Sequence, residues 1–250
     1  MTKATLLLLP GLLEDADGFE HQVAGLAQAA DVVVADLTRS DTIAGLASDA
    51  LAQAPDGPLA LAGHSMGGYV ALEIMRRAPQ RVERLALLNT NARPDSPEST
   101  ENRRRLLAVA ERDFEAAAAV LLEKQLTPAH MADPAITATI TQMARSIGRE
   151  AFARQQKAIM GRVDSRPGLA RIACPTLVLA GRDDAIMPLA LLEELAEGIP
   201  GARLQVLDEC GHASTLENPE AVTDALHLWL TGEPRPGPDV VAGARRPAPT

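Results

Sequence analysis

The stretch "LAGHSMGGYVALE", Leu61–Glu73, sets one serine among glycines. Apolar "LALA" (59–62) leads into it and helix-forming "GGYVALEIMRRA" (67–78) follows, so Ser65 stands where a buried strand ends and a helix begins. Gly63-His64-Ser65-Met66-Gly67 fits the pattern G-x-S-x-G. A turn that sharp brings neighbouring chain close, so the residues two before and two after the serine must be small. Its product is an exposed hydroxyl at the positive end of the following helix, where developing negative charge is favoured. The competing reading is a glycine-rich turn for tight packing, and the strand–turn–helix context argues for the elbow.

Other glycine-rich readings fail on residue identity. A phosphate-binding P-loop needs Lys and then Ser or Thr after its last glycine, and "GHSMGGYV" has neither. A dinucleotide fingerprint should follow the first strand, whereas this cluster follows the third. A Tyr-x-x-x-Lys reductase is excluded because Glu73 stands four residues after Tyr69, the only tyrosine.

Outward from the elbow, short apolar runs recur at Thr5–Leu9, Val32–Ala35, Leu59–Ala62, Leu85–Leu88, Thr176–Ala180 and Leu204–Leu207. Nearly continuous apolar strands are buried on both faces, which means a parallel sheet with helices on each side. Helical patterns fall at about 19–30, 42–54, 66–78, 188–197 and 219–231. The expectation is an α/β fold, a mainly parallel sheet of about six strands flanked by helices.

The alternation breaks between 93 and 171. Ser96-Pro97, Thr127-Pro128 and Asp133-Pro134 each pair a capping residue with proline at the first helical position, and Gly148 and Gly161 read as helix stops. A helical cap over 93–171 is expected, inserted into a core of 1–92 and 172–231. An insert at the carboxyl edge of the sheet is well placed to cover a ligand site. The remaining tail, 232–250, is rich in Pro, Gly and Arg and is expected to be disordered.

A serine alone is a poor nucleophile; it needs a base, and the base an orienting acid. "TLVLAGRDDAIMP" (176–188) places Asp183 and Asp184 just past the fifth strand, and "LQVLDECGHASTLENP" (204–219) places His212 just past the sixth. The order Ser, Asp, His then follows along the chain. His64 is read as structural because neighbouring elbow side chains point apart, and His21, His130 and His227 as ordinary surface or core residues. Met66, directly after the serine, should offer its backbone N–H to an oxyanion.

With these blocks in order, Thr5 to about Leu230 resembles the α/β-hydrolase family, and within it the small bacterial serine esterases. "LLLPGLLED", "GHSMGGYVALE", "PTLVLAGRDDAIMP" and "ECGHASTLENPEAV" carry the likeness. The resemblance implies a Ser65–His212–Asp184 triad, since the family's acid sits in a G-x-x-D-x-x-x-P run that Gly181 to Pro188 fits at Asp184; Asp183 is the rival by one residue. It also implies that Leu12 supplies the second oxyanion N–H, although Pro10-Gly11 replaces the family's common His-Gly. The activity implied is hydrolysis of a small or medium carboxylic ester, with no cofactor and no metal. A C–C bond or thioester hydrolase with the same triad is the alternative, as is a ligand-binding signalling protein with little turnover.

Aromatic residues make up 2% of the chain, so an aromatic-stacking pocket is not expected. Leu13, Met131, Met143, Met160 and Met187 are the candidate substrate contacts, since methionine adapts to varied aliphatic shapes. Residues 93–171 carry a formal charge of +3 and the rest −12, with Arg103-Arg104-Arg105 the densest basic patch. A basic cap would suit an acidic substrate, an acyl-carrier partner or a homo-oligomer contact; the plainer reading is a solvated helix face. The net charge of −9 argues against a nucleic-acid partner, and no apolar run approaches the ~20 residues that span a bilayer. Pro10-Gly11 stops the first apolar run short of a signal peptide, so a cytoplasmic protein is expected. Cys174 and Cys210 are too few for a disulfide framework and are expected to be buried.

Overall fold

In the computed structural model, which describes residues 3–235, the six apolar runs pair into one wholly parallel sheet. The strands are β1 (Ala4–Leu9), β2 (Ala30–Val34), β3 (Leu59–His64), β4 (Val82–Leu88), β5 (Thr176–Gly181) and β6 (Arg203–Leu207). Their order is β2-β1-β3-β4-β5-β6. The leucines of β1 show why both faces are covered. Leu7 and Leu9 enter one cluster with Leu46, Val70, Ile74, Val178 and Leu192. Leu6 and Leu8 enter the other with Phe19, Leu26, Val222, Leu226 and Trp229. Successive strand residues point to opposite faces, so an unbroken apolar run feeds two cores at once.

The helices are α1 (Glu20–Leu26), α2 (Ile43–Gln53), α3 (Met66–Arg77), α4 (Pro97–Ala110), α5 (Phe114–Gln125), α6 (Pro128–Met131), α7 (Pro134–Met160), α8 (Arg166–Leu169), α9 (Leu189–Gly198), α10 (Ser214–Glu217) and α11 (Pro219–Thr231). α2, α3 and α9 supply residues to the first core, α1 and α11 to the second. Chain direction across the sheet reverses between β1 and β3, the two strands that carry the "PGLL" turn and the serine. Ligands of open α/β sheets bind at such a switch, beyond the carboxyl ends of the strands.

Between β4 and β5 the described chain is helical, α4 to α8. Ser96, Thr127 and Asp133 each accept a backbone N–H from the first turn of the helix they precede. Gly148, with φ 76° and ψ 171°, breaks the long α7 run, and Gly161 closes it. Phe152 and Phe114 meet at 5.8 Å between ring centroids, beside Leu13 from the turn after β1. The insert is thereby packed onto the loop that carries Leu12.

Of the C-terminal tail, 236–250 lie outside the described residues. Before them, Gly232 closes α11 in the left-handed conformation, and Arg235 pairs with Glu220 and, at 2.7 Å, with Asp224. No helix among the described residues is long and apolar enough to cross a membrane.

Candidate active site

Ser65 sits at φ 52°, ψ −114°, in a region that L-residues rarely occupy. The reason both flanking positions are glycine is measurable. A Cβ on Gly63 would lie 2.4 Å from the Gly67 carbonyl oxygen, and one on Gly67 would lie 1.8 Å from that of Leu9. The elbow is held by Ser65 N–H donating to Leu88 O at 2.9 Å and by Thr90 Oγ1 donating to Ser65 O at 2.8 Å.

Three loops at the carboxyl edge converge on the hydroxyl. Ser65 Oγ lies 2.9 Å from His212 Nε2, and His212 Nδ1 lies 2.8 Å from Asp184 Oδ2. A carboxylate only accepts, so Nδ1–H donates to Asp184 and Nε2 is left to accept from the serine. Asp184 is buried, and its Oδ1 accepts from the N–H groups of Ile186 and Met187, each at 2.8 Å. Burial pushes its carboxyl up, but the His212 imidazole and these hydrogen bonds outweigh burial and hold it below the usual carboxylate range. Asp183 is exposed.

Asn89 is a site residue that the sequence reading did not find. At the end of β4 it takes φ 47°, and its Nδ2 donates to Asp184 Oδ2 at 2.9 Å and to Gly211 O at 3.1 Å. The only trace in sequence is an asparagine, a residue tolerant of that backbone region, directly after an apolar strand.

His64 points away from the serine into a buried pair with Glu14. Nδ1 is 2.8 Å from Glu14 Oε2 and Nε2 is 2.8 Å from the His212 carbonyl. Both neighbours are acceptors, so the ring serves them best as an imidazolium. Burial pushes His64 down, while Glu14 outweighs it and leaves the imidazole titrating above its ordinary value. Glu14 also accepts from Gly11 N–H, tying the turn after β1 to the elbow. Among the described residues, neither Leu12 N–H nor Met66 N–H has an acceptor.

The insert grips the loop of His212. The Gln125 carbonyl at the end of α5 accepts from His212 N–H at 2.8 Å and Ala213 N–H at 3.0 Å. Buried Glu217 accepts from Gly211 N–H at 3.0 Å, from Thr127 N–H at 2.9 Å and from His130 Nδ1 at 2.9 Å. His130 therefore belongs to this clasp. His21 is exposed and His227 half-buried.

Ser65 and His212 open on a cavity of about 80 Å³, walled by Leu12, Leu13, Tyr69, Ile140, Met143, Ile159, Met187 and Leu216, with Glu14, His64, Arg103 and Gln125 among its polar members. Of the candidate contacts, Leu13, Met143 and Met187 reach it. Met131 and Met160 do not: Met131 packs beside Leu126 and Ile140, and Met160 is half-buried one residue past Ile159, which does line the cavity. A residue type cannot tell which side of a helix faces inward. Cys210 is buried behind His212, and burial together with Glu217 and Asp184 pushes its thiol up to about 12. Cys174 is only half-buried, against expectation. Among the described residues no group of three or more His, Cys, Asp or Glu could hold a metal ion.

The family model described as "Alpha/beta hydrolase family" matches residues 6–225. The chain belongs to the alpha/beta hydrolase family. Its relatives include RutD of Azorhizobium caulinodans, provisionally named a carbamate hydrolase, at 31% identity over 69% of this chain and 66% of that protein. Another is the pimeloyl-[acyl-carrier protein] methyl ester esterase of Aromatoleum aromaticum, at 30% identity over 73% of this chain and 77% of that protein. Among solved structures, a thermophilic esterase from Thermogutta terrifontis superposes with a TM-score of 0.86 at 33% identity, covering 92% of this chain and 90% of its own. These relatives are esterases and hydrolases by name, in keeping with the expected enzyme class.

Proposed function

We propose that the protein is a serine hydrolase that cleaves a small carboxylic ester through an acyl-enzyme. The observation that carries this is the unbroken Ser65–His212–Asp184 hydrogen-bond chain opening on an apolar cavity. Ser65 Oγ attacks the ester carbonyl as His212 Nε2 takes its proton, and Asp184 stabilises the imidazolium that forms. The N–H groups of Leu12 and Met66, which have no acceptor, receive the negative oxygen of the tetrahedral intermediate. His212 then returns the proton to the departing alcohol, and a water activated by His212 releases the acid.

The cavity favours a short acyl group. Space of about 80 Å³, against the roughly 30 Å³ that one water takes up in the liquid, has room for only a few heavy atoms. A carrier-borne acyl group is the second reading, favoured by the +3 charge of residues 93–171 and by a relative named for an acyl-carrier-protein ester.

The test is hydrolysis of nitrophenyl esters from acetate to octanoate, with and without Ser65→Ala, alongside phosphonate labelling and peptide mass spectrometry. The adduct should fall on the peptide containing Ser65, and Ser65→Ala should lose on the order of 10⁴–10⁶ in kcat. An adduct elsewhere with full activity in Ser65→Ala would sink the proposal.

A further inference from the structure

The three consecutive arginines of α4 have different surroundings. Arg104 and Arg105 are exposed and, among the described residues, reach only Glu101, at 4.0 and 3.2 Å, as a solvated face should. Arg103 turns inward and lines the cavity of Ser65 and His212. Its Nε lies 3.3 Å from Asp95 Oδ1, and its Nη1 donates to Gln156 Oε1 at 2.9 Å.

That arrangement leaves positive charge over. The fully buried Asp95 carboxylate also takes Arg162 Nη1 at 2.7 Å, and Thr100 Oγ1 on its other oxygen at 2.8 Å. Arg162 is itself nearly buried, 4.5 Å above the Tyr69 ring centroid. Two guanidinium groups that never lose their charge thus share one carboxylate. Glu14, a carboxylate that lines the same cavity, is already engaged by His64 and Gly11. Among the described residues, Arg103 Nη2 makes no hydrogen bond. A cation drawn partly out of water, as the 21% exposed Arg103 side chain is, is best met by an opposite charge, and planar guanidinium fits a carboxylate in particular. Leu121, Ile140, Met143 and Ile159 line the cavity together with Arg103 and Ser65, and this apolar surface suits a methylene spacer.

We propose that the cavity selects acyl groups ending in a free carboxylate, such as monoesters of short dicarboxylic acids, and that Arg103 is the residue that reads that carboxylate. The inference rests on the ester-hydrolase reading above and adds the substrate class. Ser65 takes the ester end, the methylenes cross the apolar wall, and the distal carboxylate meets Arg103.

The experiment compares kcat/KM for monomethyl succinate, glutarate and adipate with that for methyl butyrate, valerate and hexanoate. The native protein should prefer the half-esters by about 10–100-fold, as one charge-assisted hydrogen-bonded pair would give. Arg103→Gln should collapse that ratio, Arg103→Lys should keep part of it, and Arg104→Gln should leave it as in the native protein. A native ratio near one, with neutral esters cleaved and Ser65 labelled, overturns the inference and leaves the hydrolase reading standing. No cleavage of either series and no label on Ser65 overturns both. Should Arg103→Gln fail to fold, the native protein still decides: free glutarate should slow phosphonate labelling of Ser65 at concentrations where free valerate does not, and equal protection by the two acids refutes the proposal.

Discussion

Asp184 and Asp183 are neighbours in sequence with opposite surroundings. Asp184 is buried with acceptor bonds on both oxygens, and Asp183 faces solvent. Asp184→Asn should keep the shape but lose the charge that stabilises the His212 imidazolium, lowering kcat on the order of 10⁴-fold. Asp183→Asn should change kcat little, and steady-state kinetics on one nitrophenyl ester decides between them. The His64–Glu14 pair predicts a pH dependence of stability. His64 titrates above its ordinary value when folded, so its stabilisation is complete below about pH 6.5, the unfolded value, and is lost as pH rises through the folded one. The gap in melting temperature between native protein and Glu14→Gln should therefore be widest near pH 6 and narrow as pH rises. A gap that widens with pH would show that His64 is neutral in the folded protein.

At the scale of the elements, the helical insert is both fastened and broken. It is fastened where the Gln125 carbonyl and Glu217 tie the α5–α6 corner to the His212 loop. It is broken at Gly148, whose φ of 76° and ψ of 171° suit glycine alone. A Cβ there would meet nothing within 4 Å, so substitution is felt through the backbone only. Gly148→Ala should destabilise the protein by about 1–3 kcal/mol, measured by urea unfolding, or straighten α7. We propose that the insert acts as a lid whose motion is greatest around Gly148 and least at the α5–α6 corner. Hydrogen exchange as fast at 123–128 as at 145–150 would contradict this.

Across the whole molecule, one switch point in strand order gathers every part of the site. β1 brings the turn with Leu12, β3 the serine, β4 Asn89, β5 Asp184 and β6 His212, all at one sheet edge, and the insert closes above them. The cavity beside Ser65 and His212 is thus a joint product of core and insert. Enlarging it from the insert side should shift acyl-chain preference toward longer chains, by about 0.8 kcal/mol per added methylene that becomes buried. Met143→Ala should move the optimum in a nitrophenyl ester series, while Met160→Ala, outside the cavity, should leave it in place. Equal shifts from both would mean that the insert packs differently in solution.

The sequence by itself determined the parallel sheet, the elbow and the order in which Ser65, Asp184 and His212 follow along the chain. Unbroken apolar runs, glycines beside a serine, and capping residues before prolines are local signals, set by backbone sterics and by burial on both faces of a sheet. It also placed the helix starts at Ser96, Thr127 and Asp133, because a cap is made within one turn. Tertiary structure alone decided which residues meet across distance. Glu14 finds His64 across 50 positions and Asn89 finds Asp184 across 95, pairings that no periodicity encodes. It likewise decided that Ile159 rather than Met160 faces the cavity, and that Arg103 turns inward while Arg104 and Arg105 do not. A helix repeats every 3.6 residues, so neighbouring side chains point about 100° apart, and only the packing partner fixes which of them is inside.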